Sequence, residues 1–399
     1  MIQCMSTRSP WKIWLLIAVM SMGPQGGAQL TAAEQSWAVG DEARKVLPLA
    51  TDLPATIDRR DVERAMRKVA DWELDRARPG FNLDWTFATL YTGFMAASRS
   101  TGDPKYRQAM YEMGHSHEWA LGPRTGHADD QAVAQTYLEL YLEHPDPAEI
   151  KPLRQQFDTI LKSPYDDKNL PWWWCDALFM APAAWARLYK ATGDISYLDY
   201  MNHEWWLTSA LLYDPSEHLF SRDASFLDKK EANGKKVFWS RGNGWVMAGL
   251  VRVLQEMPAD YPDRERFVTQ FREMSASLAK LQGSDGLWRP GLLDASSYPL
   301  PEVSGSAFFT YAIAWGVNEG ILDRQTYFPV VQRGWKGLIG HIYADGRLGS
   351  MQPVGAAPGD FGPTASYVFG VGAFLLAGSE VNRMALQMVT SVHSPRRGF

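Results

Sequence analysis

Cysteine is nearly absent from this chain of 399 residues, which has 2, at positions 4 and 175. That excludes a disulfide scaffold and a zinc site built from thiolates. Charge is sparse as well, at 21% of residues and a net −5, with no basic cluster. There is thus no electrostatic footprint for nucleic acid or an anionic membrane surface. No apolar run reaches the roughly 20 residues of a membrane-spanning helix. Glycine (33) and proline (24) are too few for a collagen-like or low-complexity chain. Chemical signatures are missing too: there is no HExxH pair, no phosphate-binding loop and no Gly-x-Ser-x-Gly elbow. His115 and His117 are two apart, the wrong spacing for one helical face, and Asp285-Gly286 and Asp345-Gly346 read as turns, not calcium loops. No metal and no other cofactor is implied. What is abundant is aromatic: 17 Trp, 16 Tyr and 17 Phe make 13% of the chain, more than a core of this size needs. Such rings suit a carbohydrate site.

The ends of the chain differ from its middle. Arg8 and Lys12 precede an apolar run, Ile13 to Met22, and then small residues around Gly26, Gly27 and Ala28. This is the layout of a cleaved signal peptide over residues 1–28, too short to span a bilayer, and it predicts an exported protein, periplasmic or extracellular, with no membrane attachment after cleavage. Cleavage removes Cys4 and leaves Cys175 as a lone thiol. Residues 29–54 read as a lead-in, and 381–399, ending Ser-Pro-Arg-Arg-Gly-Phe, as a loosely attached tail.

Between them the apolar residues recur at helical spacing. Very apolar stretches run from Asp84 to Ser98, Asp129 to Leu142, Trp174 to Lys190, Asn243 to Glu256, Gly305 to Gly320 and Ala365 to Gly378. They alternate with amphipathic ones: Ile57 to Arg76, Pro104 to Ala120, Pro147 to Lys162, Ile195 to Tyr213, Arg264 to Gln282 and Arg324 to Tyr343. The first kind suits a helix buried on nearly all sides, the second a helix with one wet face. Thr101-Gly102-Asp103 and Thr192-Gly193-Asp194 punctuate two of these junctions identically, a left-handed stop followed by a cap. Self-similarity at roughly 45 to 65 residues points to a repeated helical hairpin. Six hairpins, apolar helix inside and amphipathic helix outside, predict an all-α fold, an (α/α)6 barrel over residues 55–380; an open helical solenoid is the alternative. Tyr213 to Ser240 departs from the rhythm, and Asn233-Gly234 between aromatic-rich runs reads as a short β excursion on the rim.

In such a barrel the loops leading into the inner helices gather at one mouth. Asp84, His127, Asp129, Asp130, Trp172 to Asp176, Arg241, Asn243 and Ser304 lie there. Each acid or serine has a bland reading as a helix cap. Asp176 fits that reading least. It follows Trp172-Trp173-Trp174-Cys175 and precedes Ala177-Leu178-Phe179-Met180, and burial among such side chains raises a carboxyl pKa toward neutrality, as proton transfer requires. Cys175 reads as packing. In Ser240-Arg241-Gly242-Asn243-Gly244-Trp245 the glycines permit close backbone approach, the Arg offers a fork for a carboxylate and the Trp a ring for a sugar face; alternatively Arg241 pairs with an acid at the mouth. Asp129 and Asp130 are adjacent, so at most one reaches the pocket.

Five passages in order, WWWCDALFMAPAAWARLYKATGD, FWSRGNGWVMAGL, DGLWRPGLLD, SGSAFFTYAIAWG and YVFGVGAFLLAGSE, resemble glycoside hydrolase family 105, the unsaturated rhamnogalacturonyl and related uronyl hydrolases, over residues 55 to 380. The resemblance implies an (α/α)6 barrel that removes a 4,5-unsaturated uronic acid from the non-reducing end of lyase-generated oligosaccharides by hydrating the C4=C5 bond, rhamnogalacturonan type favoured. It implies Asp176 as general acid/base and an assisting aspartate in His-Ala-Asp-Asp-Gln, Asp129 before Asp130. Arg241 and Trp245 would meet the uronate, with Trp174, Trp173, His127, Asp130, Asn243, Arg222 and Ser304 as further substrate-binding candidates. One departure stands out: Leu219-Phe220 is followed by Ser221-Arg222-Asp223, where pectin-type members carry a His. The alternatives are a non-catalytic sugar-binding barrel and an epimerase or inverting glycosidase on the same fold.

Overall fold

The computed structural model describes residues 48–163 and 170–393, with side chains to 388. The expected signal peptide, most of the lead-in and the last six residues lie outside the described residues.

The outer helices are α1 (Arg59–Ala77), α3 (Pro104–Ser116), α6 (Pro147–Leu161), α9 (Ile195–Leu212), α11 (Arg264–Leu281) and α13 (Arg324–Ile339). Aspartates start most of them: Asp58, Asp103, Asp146, Asp194 and Asp323 each accept from a backbone N–H of the first turn, worth about 1 kcal/mol apiece. Gly102 and Gly193 stop the preceding inner helices at φ 69° and 77°, so both Thr-Gly-Asp junctions do what their sequence predicts.

The inner helices are α2 (Trp85–Thr101), α4 with α5 (Ala128–Gln131, Ala134–Glu143), α7 with α8 (Ala177–Met180, Pro182–Thr192), α10 (Ser240–Leu254), α12 (Val303–Asn318) and α14 (Val368–His393). Two of the expected inner helices are thus broken near their start. Pro182 has no N–H to continue the helix through Ala181. At Ala132 and Val133 the bonds tighten to the three-residue kind, Gln135 N to Ala132 O and Thr136 N to Val133 O. In consequence Asp129 rides on, and Asp176 immediately precedes, a single helical turn set off from the main inner helix.

The inner helices pack in the order α2, α5, α8, α10, α12, α14, and α14 returns onto α2. The ring is therefore closed, not a solenoid. The closing contact is backbone to backbone: a Cβ on Gly93 would lie 2.7 Å from Gly372 Cα, and one on Gly372 would lie 2.3 Å from the Thr89 carbonyl oxygen. Trp185, Trp205 and Trp315 are core, as their positions within helices predict.

Two expectations need correction. The paired strands are β1 (Tyr213–Asp214) and β2 (Leu219–Phe220), antiparallel with Tyr213 opposite Phe220, earlier than the Asn-Gly signal. His218 turns them at φ 55°, with Asp214 accepting from Ser216 and Glu217 N–H. Asn233-Gly234 supports only the isolated bridge Lys230–Lys236. The tail does not begin at 381: α14 continues to His393 with Val381 and Met384 buried, because these side chains extend the apolar face of the closing helix.

Candidate active site

All inner helices begin at one mouth. There Asp176 occupies the position before α7 yet makes no capping hydrogen bond, so the bland reading of its carboxylate fails. It is 8% exposed. Its Oδ2 accepts from Cys175 Sγ at 3.3 Å and lies 3.7 Å from Arg222 Nε. Burial pushes its pKa up, against the opposing pull of Arg222, Cys175 and Arg241. Asp84, in contrast, is a cap, its Oδ1 accepting from Thr86 N and Oγ1.

The adjacent aspartates separate cleanly. Asp130 is clamped by Arg124, whose backbone N and guanidinium donate at 2.5 to 3.1 Å. It pins the loop before α4 and is not a substrate-binding group as expected, since its oxygens are consumed. Asp129 lies within the electrostatic reach of Asp176. Burial first, and then the field of Asp176, push its pKa up to about 7, with Arg124 opposing. His127 caps α4 by accepting from Asp129 N; its ring lies 5.0 Å from that of Trp174. Burial, helped by Arg124, keeps its pKa low, so it is neutral near pH 7.

Trp174 is buried and its bridge to Asp223 carries Arg222 to the carboxylate, with Cys175 N donating to Arg222 O at 2.8 Å. Trp173 is 46% exposed, with the Arg222 guanidinium 5.3 Å above its ring. Burial and Asp176 push the Cys175 thiol well up, consistent with a packing residue and not a nucleophile.

The remaining expected contacts do not form a pocket wall. Arg241 is fully buried, donating from Nη1 to Gln352 O and from Nη2 to Pro353 O, both at 2.6 Å. It lies 3.9 Å from Glu302. Its terminal nitrogens hold the chain after Ser350 instead of standing free for a uronate, which favours the pairing alternative. Asn243 is spent on the backbone of Phe220 and Trp239. Ser304 donates to Glu302. Trp245 is 0% exposed among Trp85, Phe179, Phe308 and Phe369; it is core, not a sugar platform. In each case the side chain is already engaged, Trp245 by rings of neighbouring inner helices and the other three by loop, strand or cap groups at the helix starts.

Sequence reasoning passed over Arg124 and Glu302. Glu302 is the hub of its side of the mouth, accepting from Ser304, Gly305 N and Gln352 N. Its position one residue before α12, where a cap belongs, was the available signal.

The buried Asp176 carboxyl and the partly buried Asp129, raised to about 7 by burial and its neighbour, can share a proton near neutral pH. A closed (α/α)6 barrel with that pair at its mouth is suited to acid/base work. The sequence profile of Glycosyl Hydrolase Family 88 matches residues 57–385. The chain is 39% identical, over 81% of its length and 91% of the relative's, to the unsaturated 3S-rhamnoglycuronyl hydrolase of Formosa agariphila. It is 33% identical, over 92% and 94%, to the protein of the same name from an Alteromonas species. Among solved structures, a glycosyl hydrolase family 88 protein from Bacteroides vulgatus superposes with TM-score 0.77 at 32% identity, covering 82% of this chain and 99% of that one. A possible family 105 member from Salmonella enterica shares the fold with TM-score 0.69 at 22% identity, covering 82% and 94%. The chain belongs to this family 88/105 group of glycoside hydrolases and is a glycosidase.

Proposed function

We propose that the enzyme removes a 4,5-unsaturated uronic acid from the non-reducing end of oligosaccharides left by polysaccharide lyases, and does so by hydrating the double bond. The observation that carries this reading is the coupled pair Asp129 and Asp176, both with raised pKa, on a barrel of this family. Protonated Asp176 delivers its proton to C4 of the vinyl ether, and the electron pair of the double bond forms the new C–H bond. The cationic centre at C5 is stabilised by its ring oxygen. Water adds to C5 and gives a proton to the Asp176 carboxylate, which restores the acid. The resulting hemiketal opens and releases the remaining sugar. Asp129, its own pKa raised to about 7, is the neighbouring acid that can exchange a proton with Asp176 near neutrality. Arg222, 3.7 Å from Asp176, is the cation placed to meet the uronate carboxylate, and exposed Trp173 covers the sugar beyond it.

The names of the two curated relatives favour a uronate linked to rhamnose, with a sulfate ester on that rhamnose, over an unsulfated pectic fragment. Ser221-Arg222-Asp223, where pectin-type relatives carry a His, agrees with that preference. Arg8, Lys12 and Ile13 to Met22 support export with cleavage, which places the enzyme where lyase products accumulate. The test is a panel of lyase digests, from sulfated rhamnoglucuronan, pectin and glycosaminoglycan, followed by loss of the ultraviolet absorbance of the conjugated uronate. Loss on the first digest and its absence in Asp176→Asn is the expected result. Turnover of saturated sugars, or an unchanged chromophore on every digest, overturns the proposal.

A further inference from the structure

The inner helices end at the opposite side of the barrel, about 25 Å from the mouth at 1.5 Å per residue over the span of α2. A cavity of about 370 Å³ opens there. Its wall carries Arg59, Arg99, Arg187, Arg252 and Arg383, with Glu380 as the acid among them. Behind the wall one carboxylate, Glu139, serves three of these cations: Arg99 at 2.9 Å, Arg187 at 3.2 Å and Arg252 at 2.6 Å. Burial alone would push the Glu139 carboxyl up, but the three guanidiniums hold it well below the usual range.

The cations keep unused capacity. Arg187 is 3% exposed, pairs through Nη2 with Glu139 and approaches Glu256 with Nε, yet its buried Nη1 has no hydrogen-bond partner among the described residues. Arg252 spends Nε on Gln135 and Nη2 on Glu139; its Nη1 enters no hydrogen bond among the described residues. A buried guanidinium donor without an acceptor is costly in a structure that needs it only for packing. Arg187 Nη1 is itself shielded from solvent, but Arg252 lines the cavity with its Nη1 uncommitted, and the planar fork suits a carboxylate or sulfate. The cavity volume falls in the range of small-molecule pockets, so there is room for more than a bare ion.

We propose that this rear cavity is a second binding site, for a small molecule bearing an oxyanion, with a sulfate or carboxylate group seated between Arg187 and Arg252. It uses no residue of the catalytic mouth, and its test does not depend on turnover. Crystals of the full chain soaked in selenate, a sulfate analogue with an anomalous signal, should show a peak within hydrogen-bond distance of Arg252 Nη1. In solution, inorganic sulfate and glucuronate are titrated separately against chloride at matched ionic strength, following the melting temperature. Ser100→Glu, a substitution at the half-buried cavity wall that leaves the arginines in place, should weaken the responsive anion about tenfold or more by like-charge repulsion. Comparison with wild type cancels any binding at the mouth. Arg187→Met should abolish the response if it folds. A response to sulfate alone assigns a sulfate ester, and one to glucuronate a carboxylate. No selenate peak, or a thermal response unchanged in Ser100→Glu, overturns the proposal.

Discussion

The two ends of this barrel bury carboxylates under opposite terms. At the rear, Glu139 is held by three arginines and its pKa is pulled down. At the mouth, Asp176 has one arginine at 3.7 Å and Asp129 has another acid for a neighbour, and both are pushed up. The same inner helices supply both sets, so the difference comes from the partners and not from depth. A carboxylate satisfied by cations locks helices together; one left short of them becomes a proton store.

The sharpest way to break this contrast is Asp176→Asn. It should lower the rate on unsaturated oligosaccharides by on the order of 10² to 10⁴ without lowering the melting temperature. Retained activity would move the chemistry elsewhere. Next, Glu139→Gln takes the carboxylate from two buried cations, Arg187 and Arg252, and should cost about 3–5 kcal/mol of stability, the range for breaking a buried ion pair. It would be read from denaturant unfolding, with the rate per folded molecule unchanged. A stable variant would show that the rear cluster holds nothing together.

Asp129→Asn should shift stability the other way. With its folded pKa raised from 3.8 to about 7, the folded state binds more protons than the unfolded chain between those values. The stability this contributes is complete below about pH 4 and lost as the pH rises through 7. One-fifth of the side chain reaches solvent, so the permanently neutral asparagine should stabilise by about 1–2 kcal/mol at alkaline pH and by nothing in acid. The wild-type rate should fall over the same window as the pair loses its last proton, with an apparent value belonging to both residues. The smallest effect belongs to Trp173→Ala, which removes an exposed ring and its contact with Arg222, worth about 0.5–1 kcal/mol. A rise of KM by a few-fold with kcat nearly unchanged is expected.

The helical rhythm was legible because burial on all sides and burial on one side leave different patterns in a sequence, and Asp103, Asp194 and the glycines before them mark where each helix stops and starts. Asp176 was legible because an acid inside an aromatic run is costly. Arg241, Asn243, Ser304 and Trp245 read as pocket residues because they share a helix start with the mouth, but which face of that start meets a neighbouring helix is a matter of packing, invisible to spacing. The rear cluster left a signal that went unread. Glu139, Arg187 and Arg252 are charges set within apolar runs of inner helices, Tyr137 to Tyr141, Ala183 to Tyr189 and Val246 to Leu254, and three such charges of mixed sign on helices predicted to adjoin should be read as partners.

The contact of Gly93 with Gly372 has a consequence for how the molecule is made. The ring is sealed by its first and last inner helices, separated by nearly the whole described chain, so the seal cannot form until α14 has been synthesised. Before that, α2 presents a bare apolar edge while five hairpins wait. High contact order of this kind slows folding and prolongs exposure of sticky surface. A chain cut short before residue 368 should therefore aggregate instead of surviving as a smaller enzyme.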